Sequence, residues 1–461
     1  MACATGKLNE KSYIFQSDDQ GSSIDSNENA FDDMKQLISD EDERSSSLPR
    51  ASFNFINSII GSGVIGIPYA LHQSGFGLGL VLLVLIAYVT DYSLVIMVKS
   101  GHITGKFSYQ GIMEAAYGRP GYILLGVLQF VYPFIAMVSY NVVVGDTVTK
   151  VVVRLINAPE SSIFSKREII VLICTLGVTI PLCMYRNITK LAHISFTSLI
   201  CIGTILLTIL FKAGSMSQIV PSHSDSWKFV NWDIIPAMGI MSFAFMCHHN
   251  TFLIYTSIQE PNEKRWEVVT HISLTVSLVI TALFGIVGYA TFTAYVQGDL
   301  LENYCSDDDL MNFSRLLFSV TILLTYPIEC FVVRDVIESS FFAETISDRT
   351  HYLITLMIVG ISYFVSIATD CFGVVLELNG ILAATPLAYV LPALCYLRLE
   401  EGHVFSRTKL PAVALASFGL LITCLGVIFI CADFNHVDTC SHGKLMPYCT
   451  ENYTLWYNTT K

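Results

Sequence analysis

The chain has 461 residues, of which 53% are hydrophobic and only 14% charged, and its formal net charge is −12. Soluble domains carry roughly 25% charged residues, so the composition excludes an ordinary soluble protein, and the acidic balance argues against a nucleic-acid partner. The sequence contains no HExxH, no GxSxG and no GxxxxGK[ST] motif. We therefore expect neither an enzyme nor an ATP-driven transporter.

The first 50 residues differ from the rest of the chain. They contain eleven acidic residues, five lysines or arginines and no long apolar run. A segment this polar cannot bury a core, so residues 1–50 are predicted to be a disordered, acidic cytosolic tail. The segment also lacks the charged start, apolar stretch and cleavage site of a signal peptide.

From Ala51 onward the sequence alternates between long apolar runs and short polar ones. Runs near 20 residues span a bilayer as helices, and eleven of them predict an all-α membrane protein with eleven transmembrane helices in residues 51–431. The polar stretch 107–118 is too short to span and is predicted to be an interfacial helix. The predicted spans are 51–72, 76–98, 120–145, 168–185, 190–212, 233–257, 268–294, 310–333, 352–370, 373–397 and 410–431.

The loops between these spans predict an orientation. Lysine and arginine are more frequent in the loops on the side of the N-terminus, which places that terminus in the cytosol. An odd number of spans then puts residues 432–461 outside the cell as a glycosylated tail, with sequons at Asn452 and Asn458. The expected location is the plasma membrane.

Most of the thirteen cysteines lie singly in apolar runs, and their spacing indicates no metal site. Cys440 and Cys449 both fall in the polar C-terminal tail, where we expect them to form a disulfide in an oxidising compartment. Cys305 lies in the predicted outer loop after span seven and could compete for either of them.

Two predicted spans carry residues that interrupt a helix. Span one contains three glycines and a proline within residues 61–68, and span six contains Pro236, Gly239 and the polar run 248–250. Glycine costs roughly 1 kcal/mol and proline about 3 kcal/mol inside a helix, and broken helices in lipid are tolerated only beside protein or a cavity. Paired breaks five spans apart indicate an inverted-repeat transporter site. The alternative for span one is a packing face of small residues.

Several runs resemble the sodium-coupled neutral amino acid transporters of the amino acid/auxin permease superfamily. The similarity extends from about residue 50 to residue 431 and depends on the order and spacing of these runs. They are Asn57-Ser-Ile-Ile-Gly-Ser-Gly-Val-Ile-Gly-Ile-Pro68, Tyr140-Asn-Val-Val-Val-Gly-Asp146-Thr, Pro181-Leu-Cys-Met-Tyr-Arg186-Asn, Phe243-Ala-Phe-Met-Cys-His248 with Tyr255, Thr325-Tyr-Pro327, and Gly380 through Pro392 with Tyr396.

The resemblance implies a five-plus-five inverted repeat of the leucine-transporter type with one added helix. It also implies symport of small neutral amino acids such as glutamine, alanine or asparagine, with Na+ as the co-transported ion. The implied substrate site comprises Gly61, Ser62 and Gly63, with Ser242 and with His248 in preference to His249. The implied sodium ligands are Asn57 and Thr325, although a threonine hydroxyl can also bond back to its own helix.

Three acidic residues fall within predicted spans, namely Asp91, Glu329 and Glu377. A charged side chain at the bilayer centre costs roughly 2.5–3.5 kcal/mol on insertion scales, so each invites a functional interpretation. Glu329 and Glu377 lie near span ends, where they could reach water or a partner, and Asp91 is the first candidate for a proton site. A proton-coupled carrier, or a transporter-like receptor that senses amino acids, therefore stays open as an alternative.

Overall fold

The structure is a computed structural model that describes residues 46–159, 161–185, 194–221, 223, 226–342, 347–369, 371–433 and 446–449. For residues 194–196 only the backbone is described. The acidic tail up to residue 45, Cys440 and the sequons at Asn452 and Asn458 lie outside the described residues. Within these ranges the chain is almost entirely helical, as its composition predicts.

Fifteen α-helices form in the described part of the chain. Short 3-10 turns interrupt the first and sixth predicted spans, and π turns join α5 to α6 and α13 to α14. The helices are α1 Leu48–Ile59, α2 Ile67–Ser74, α3 Phe76–Thr104, α4 Tyr109–Ile156, α5 Arg167–Cys174, α6 Ile180–Cys183, α7 Ile194–Ile219, α8 Ile234–Ala244, α9 Thr251–Ser257, α10 Glu263–Phe292, α11 Asp309–Phe341, α12 Asp348–Ala368, α13 Phe372–Asn379, α14 Leu391–Leu399 and α15 Leu410–Asp433.

Helices occupy every predicted span, but not all are individually long enough to cross a membrane. In the described ranges, eight helices are long and apolar enough to cross a membrane. The number is nine if the bent pair α1 and α2 is counted as one span. The remaining predicted spans are the short segment 167–183, with its π turn, and the sixth span, which is divided into α8 and α9. The chain is therefore a multi-pass helical membrane protein.

The predicted helix at 107–118 begins at Tyr109 and continues into span three. Ser108 caps its start, because the Ser108 hydroxyl accepts the Gly111 amide at 3.1 Å. Gly118 has a positive φ of 62°, a conformation that glycine adopts without steric cost. The chain turns sharply there, so the polar segment and the spanning part of α4 are separate helical pieces.

The first span breaks where the glycines predict. Helix α1 ends at Ile59, a 3-10 turn follows at Ser62–Gly66, and the two halves are bent by 51°. A Cβ atom on Gly63 would lie only 2.7 Å from the Cα atom of Ala244, the last residue of α8. The glycine therefore permits the break in span one to pack directly against the break in span six.

The sixth span is interrupted between Ala244 and Thr251, with a 3-10 turn at His248–Asn250. The Asn250 amide donates to the Ser58 hydroxyl at 2.7 Å, which ties this turn to α1. The two interrupted spans are thus joined both by backbone packing and by a side-chain hydrogen bond.

Small polar side chains connect the long helices that pack behind the breaks. Thr147 on α4 and Ser319 on α11 share a hydrogen bond of 2.7 Å, and the Asn141 amide on α4 donates to Ser362 on α12 at 3.2 Å. In an apolar environment such contacts let helices approach closely and fix their register. Helices α4, α11 and α12 are therefore held to one another by polar contacts as well as by apolar packing.

Cys449 forms a disulfide with a different partner from the predicted one. Cys305, in the loop between α10 and α11, is bonded to Cys449, with 5.4 Å between the two Cα atoms. The pairing of Cys440 with Cys449 is therefore wrong, and the competition from Cys305 is decisive. The physical reason is that residues 446–449 fold back onto the α10–α11 loop, where the Tyr448 hydroxyl donates to the Asn303 carbonyl at 2.7 Å.

We expect non-reducing peptide mapping of the purified protein to recover Cys305 and Cys449 in one cross-linked pair. Replacing either cysteine by serine should eliminate that pair and lower the melting temperature, because the bond closes a loop of 144 residues. Recovery of a peptide pair that joins Cys440 to Cys449 in the wild-type protein would contradict this assignment.

Gly63→Ala should destabilise the carrier by about 1–3 kcal/mol, the usual cost of overpacking, because its Cβ would meet the backbone of α8. Gly61→Ala is the matched control, since no atom lies within 4 Å of a Cβ at Gly61. Melting temperatures in detergent measure the difference. Equal stability of the two variants would show that the breaks do not pack as described.

Candidate functional site

A cavity of about 130 Å³ lies against the breaks in both interrupted spans. It is large enough for several water molecules or for one small solute. Helix α1 with the turn after it and helix α11 supply much of the cavity lining. The lining residues are Asn54, Asn57, Ser58, Ile59, Ile60, Gly61, Ser62, Gly63, Tyr132, Tyr140, Ser198, Ile202, Phe243, Ala244, Met246, His249, Asn250, Ile254, Phe318, Thr321, Ile322, Leu324, Thr325, Ile328 and Glu329.

The predicted substrate loop forms part of this cavity. Gly61, Ser62 and Gly63 all line it, and they lie at the start of the 3-10 turn Ser62–Gly66. The first amides of a helical turn have no partner inside the turn, and their dipoles point toward an anion. The 3-10 turn therefore begins at the cavity wall, and amides at the start of a helical turn are groups that a carboxylate can bind.

The two predicted sodium residues also line the cavity, from two different helices. Asn57 lies on α1 before the break, and Thr325 lies on α11. The Thr325 hydroxyl donates to the Thr321 carbonyl at 2.8 Å, so the helix back-bond considered from the sequence is present. That bond uses the hydroxyl hydrogen and leaves lone pairs on the oxygen, so Thr325 remains able to bind a hard cation.

The two neighbouring histidines lie in different environments. His248 is fully buried, with its Nε2 atom 3.2 Å from the Ser93 hydroxyl, and does not line the cavity. His249 lines it instead, with its ring 5.6 Å from that of Tyr132. The preference for His248 as a substrate residue therefore stays a prediction, and His249 is the histidine that lines this cavity. Ser242 is also fully buried and lies outside the cavity lining.

The acidic residues in the spans have three different environments. Asp91 forms an ion pair of 2.8 Å with His271 on α10 and does not line the cavity. Glu377 is buried on α13, also away from the cavity. Glu329 is the acid that lines the cavity, and its side chain is only 8% exposed.

Sequence reasoning overlooked several lining residues. Tyr132 and Tyr140 on α4, together with Asn250 after the second break, carry polar groups to the cavity wall. Tyr140 begins one of the runs that resemble the transporter family, and Asn250 belongs to the polar run in span six. Both residues could therefore have been identified as site candidates from the sequence. Tyr132 had none, because an aromatic residue in an apolar run is most often part of the core.

The far side of the breaks is closed by the α10–α11 loop. The fully buried Arg315 guanidinium binds this loop by donating to the Leu301 carbonyl at 2.9 Å. Lys150 on α4 forms an ion pair of 3.3 Å with Glu302 in the loop. Burial raises the pKa of the Asp299 carboxyl to about 7, as expected for an acid held away from water.

Among the described residues, none that lines the cavity comes from α2, so the cavity lies on the α1 side of the break.

Comparison with known proteins gives one family and consistent relatives. The family model described as "Transmembrane amino acid transporter protein" matches residues 44–432. A Danio rerio protein named "Putative sodium-coupled neutral amino acid transporter 11" is 44% identical over 89% of this chain and 91% of its own. The yeast (Saccharomyces cerevisiae) "Vacuolar amino acid transporter 2" is 30% identical over 83% of this chain and 82% of its own.

The fold is similar to a solved transporter structure as well. A manganese transporter from Eremococcus coleocola, solved as a point mutant, superposes with a TM-score of 0.53 over 89% of this chain and 91% of that one, at 17% identity. At that identity the match describes the fold and not the substrate. The family match and the relatives cover most of the chain, including both breaks and the cavity. The chain therefore belongs to the transmembrane amino acid transporter family.

Proposed function

We propose that the chain is a secondary active symporter that carries small neutral amino acids, of the glutamine, alanine or asparagine kind, together with Na+. The observation that supports the proposal is the meeting of the broken first helix with Asn57 and Thr325 at one cavity. The Danio rerio relative's name describes a sodium-coupled neutral amino acid transporter. Measured uptake of an amino acid panel, with sodium replaced by choline, tests it.

The cavity offers complementary chemistry for the two solutes. The amides at Gly61, Ser62 and Gly63 suit the substrate carboxylate, and the oxygens of Asn57 and Thr325 suit the cation. A cation beside the carboxylate would partly neutralise it in a medium of low dielectric constant. The two affinities would then depend on each other, which is the thermodynamic basis of coupling.

The proposed architecture has eleven spans arranged as a five-plus-five inverted repeat with one added span. The supporting observation is that the breaks in the first and sixth spans, five spans apart, pack against each other at Gly63 and Ala244. We also propose a cytosolic N-terminus, so that the cavity on the α1 side faces the cytosol. The plasma membrane is the proposed location, and the vacuolar relative in yeast makes an organelle the alternative.

The proposed topology places Asn452 and Asn458 outside the cell with N-glycans attached. Enzymatic deglycosylation should increase the electrophoretic mobility of the protein expressed in animal cells. The double variant Asn452→Gln with Asn458→Gln should migrate like the deglycosylated wild type, because both acceptor amides are gone. A C-terminal tag that is accessible only after permeabilisation of the plasma membrane, on protein at the cell surface, would overturn this topology.

Thr325→Ala should raise the sodium concentration for half-maximal uptake, because it removes one oxygen ligand from the proposed site. Asn57→Ala should have the same effect, and more strongly, because Asn57 lies beside the broken segment. Amino acid affinity at saturating sodium should change much less. Thr423→Ala is the matched control, since the Thr423 hydroxyl makes the same kind of back-bond, 2.9 Å to the Gly419 carbonyl, on α15 away from the cavity.

If Thr325→Ala and Asn57→Ala both show the same sodium dependence as the wild type, neither residue is a sodium ligand. Wild-type uptake that ignores sodium but follows an acid-outside gradient would instead establish the proton-coupled alternative. Binding of amino acids by purified protein without flux in liposomes would establish the sensing receptor.

A further inference from the structure

Glu329 is an unusual lining residue, because it brings an acidic group into a cavity that is otherwise neutral apart from His249. Among the described residues, no lysine or arginine lines the cavity, and the side chain of Glu329 is 8% exposed. Glu329 lies on α11 four residues after Thr325, which places both side chains on the same face of that helix, one turn apart.

Glu329 lacks a protein counter-ion in the described part of the chain. The nearest cationic residue along α11, Arg334, is directed elsewhere: it donates to the Cys183 carbonyl at 2.9 Å and lies 3.6 Å from the Glu338 carboxylate. Within the described ranges, no residue forms an ion pair or a recorded hydrogen bond with Glu329.

The groups that face Glu329 are neutral or weakly basic. Tyr132 and Tyr140 on α4 interact with it electrostatically, and His249 is the ionisable residue that the second break brings to the cavity. The Nε2 atom of His249 lies 2.9 Å from the side-chain amide nitrogen of Asn250. If Asn250 donates this hydrogen bond, the His249 Nε2 atom carries no proton and the imidazole is neutral. None of these groups supplies the positive charge that a buried carboxylate needs.

We propose that the Glu329 carboxylate is the anionic ligand for the co-transported monovalent cation inside the transport cavity. The inference rests on the proposed function, and it adds a charged residue to the neutral oxygens of Asn57 and Thr325. An ionised carboxylate that is almost fully buried in a cavity wall is costly until a cation joins it. The Glu329 carboxylate therefore favours the binding of a cation in the cavity. A proton competes with sodium because it binds to the same oxygen atoms.

Sodium binding by the purified full-length protein tests this directly, without knowledge of the substrate. Radioactive Na+ alone serves as the probe in a scintillation proximity assay at several pH values. We expect Glu329→Gln to raise the sodium dissociation constant roughly tenfold or more, as loss of an interaction with a charged group implies. Acidification should weaken sodium binding by the wild type, and this pH dependence should disappear in Glu329→Gln.

Glu329→Asp and Asp91→Asn complete the design. The aspartate variant keeps the negative charge and should retain the competition between protons and sodium. If Glu329→Gln is poorly expressed, this variant distinguishes an effect of the lost charge from an effect on folding. Asp91→Asn alters an acid that is paired with His271 outside the cavity, and it should bind sodium as the wild type does. Sodium binding by Glu329→Gln that equals the wild type at every pH would overturn the inference, as would loss of the pH dependence in Asp91→Asn. A wild-type protein that binds no sodium would instead refute the proposed sodium coupling.

Discussion

The constraint on which this structure depends is that backbone polar groups inside a membrane must find partners. A regular helix satisfies them internally, whereas the first span leaves its helical path between Ile59 and Ile67. The break lies beside a cavity and a second break, which are the surroundings in which an interrupted helix is tolerated in a membrane. The site for a charged solute is therefore a direct consequence of interrupting the helix.

The two breaks depend on each other. Gly63 allows the first break to approach Ala244 at a distance that no side chain would permit, and Asn250 bonds to Ser58 across the same junction. Helix α11 faces them with Thr325 and Glu329. A solute in the cavity thus contacts elements from both halves of the chain, and any movement between those halves would change its binding. In an alternating-access carrier, this arrangement links the occupancy of the site to conformation.

The side of the breaks away from the cavity has a different chemistry. Charged groups there are paired with each other or with carbonyl groups, as Arg315 shows by binding the Leu301 carbonyl and Lys150 by pairing with Glu302. The disulfide between Cys305 and Cys449 fixes the same loop. These paired groups contrast with Glu329, which lines the cavity without an ion pair among the described residues. The contrast distinguishes the groups that hold the fold from those available to a solute.

The sequence by itself determined the membrane class, the positions of the helices and both breaks, because apolar run length, glycine and proline act locally. It also indicated the family and brought forward Gly61, Asn57 and Thr325, all of which line the cavity. Only the tertiary structure decided the disulfide partner of Cys449 and the residues that line the cavity, which include His249 and Glu329 but not His248 or Asp91. Each of these depends on which distant segments meet and on how an irregular turn directs a side chain. Local sequence patterns carry no information on either, because contacts between remote segments arise only when the whole chain packs.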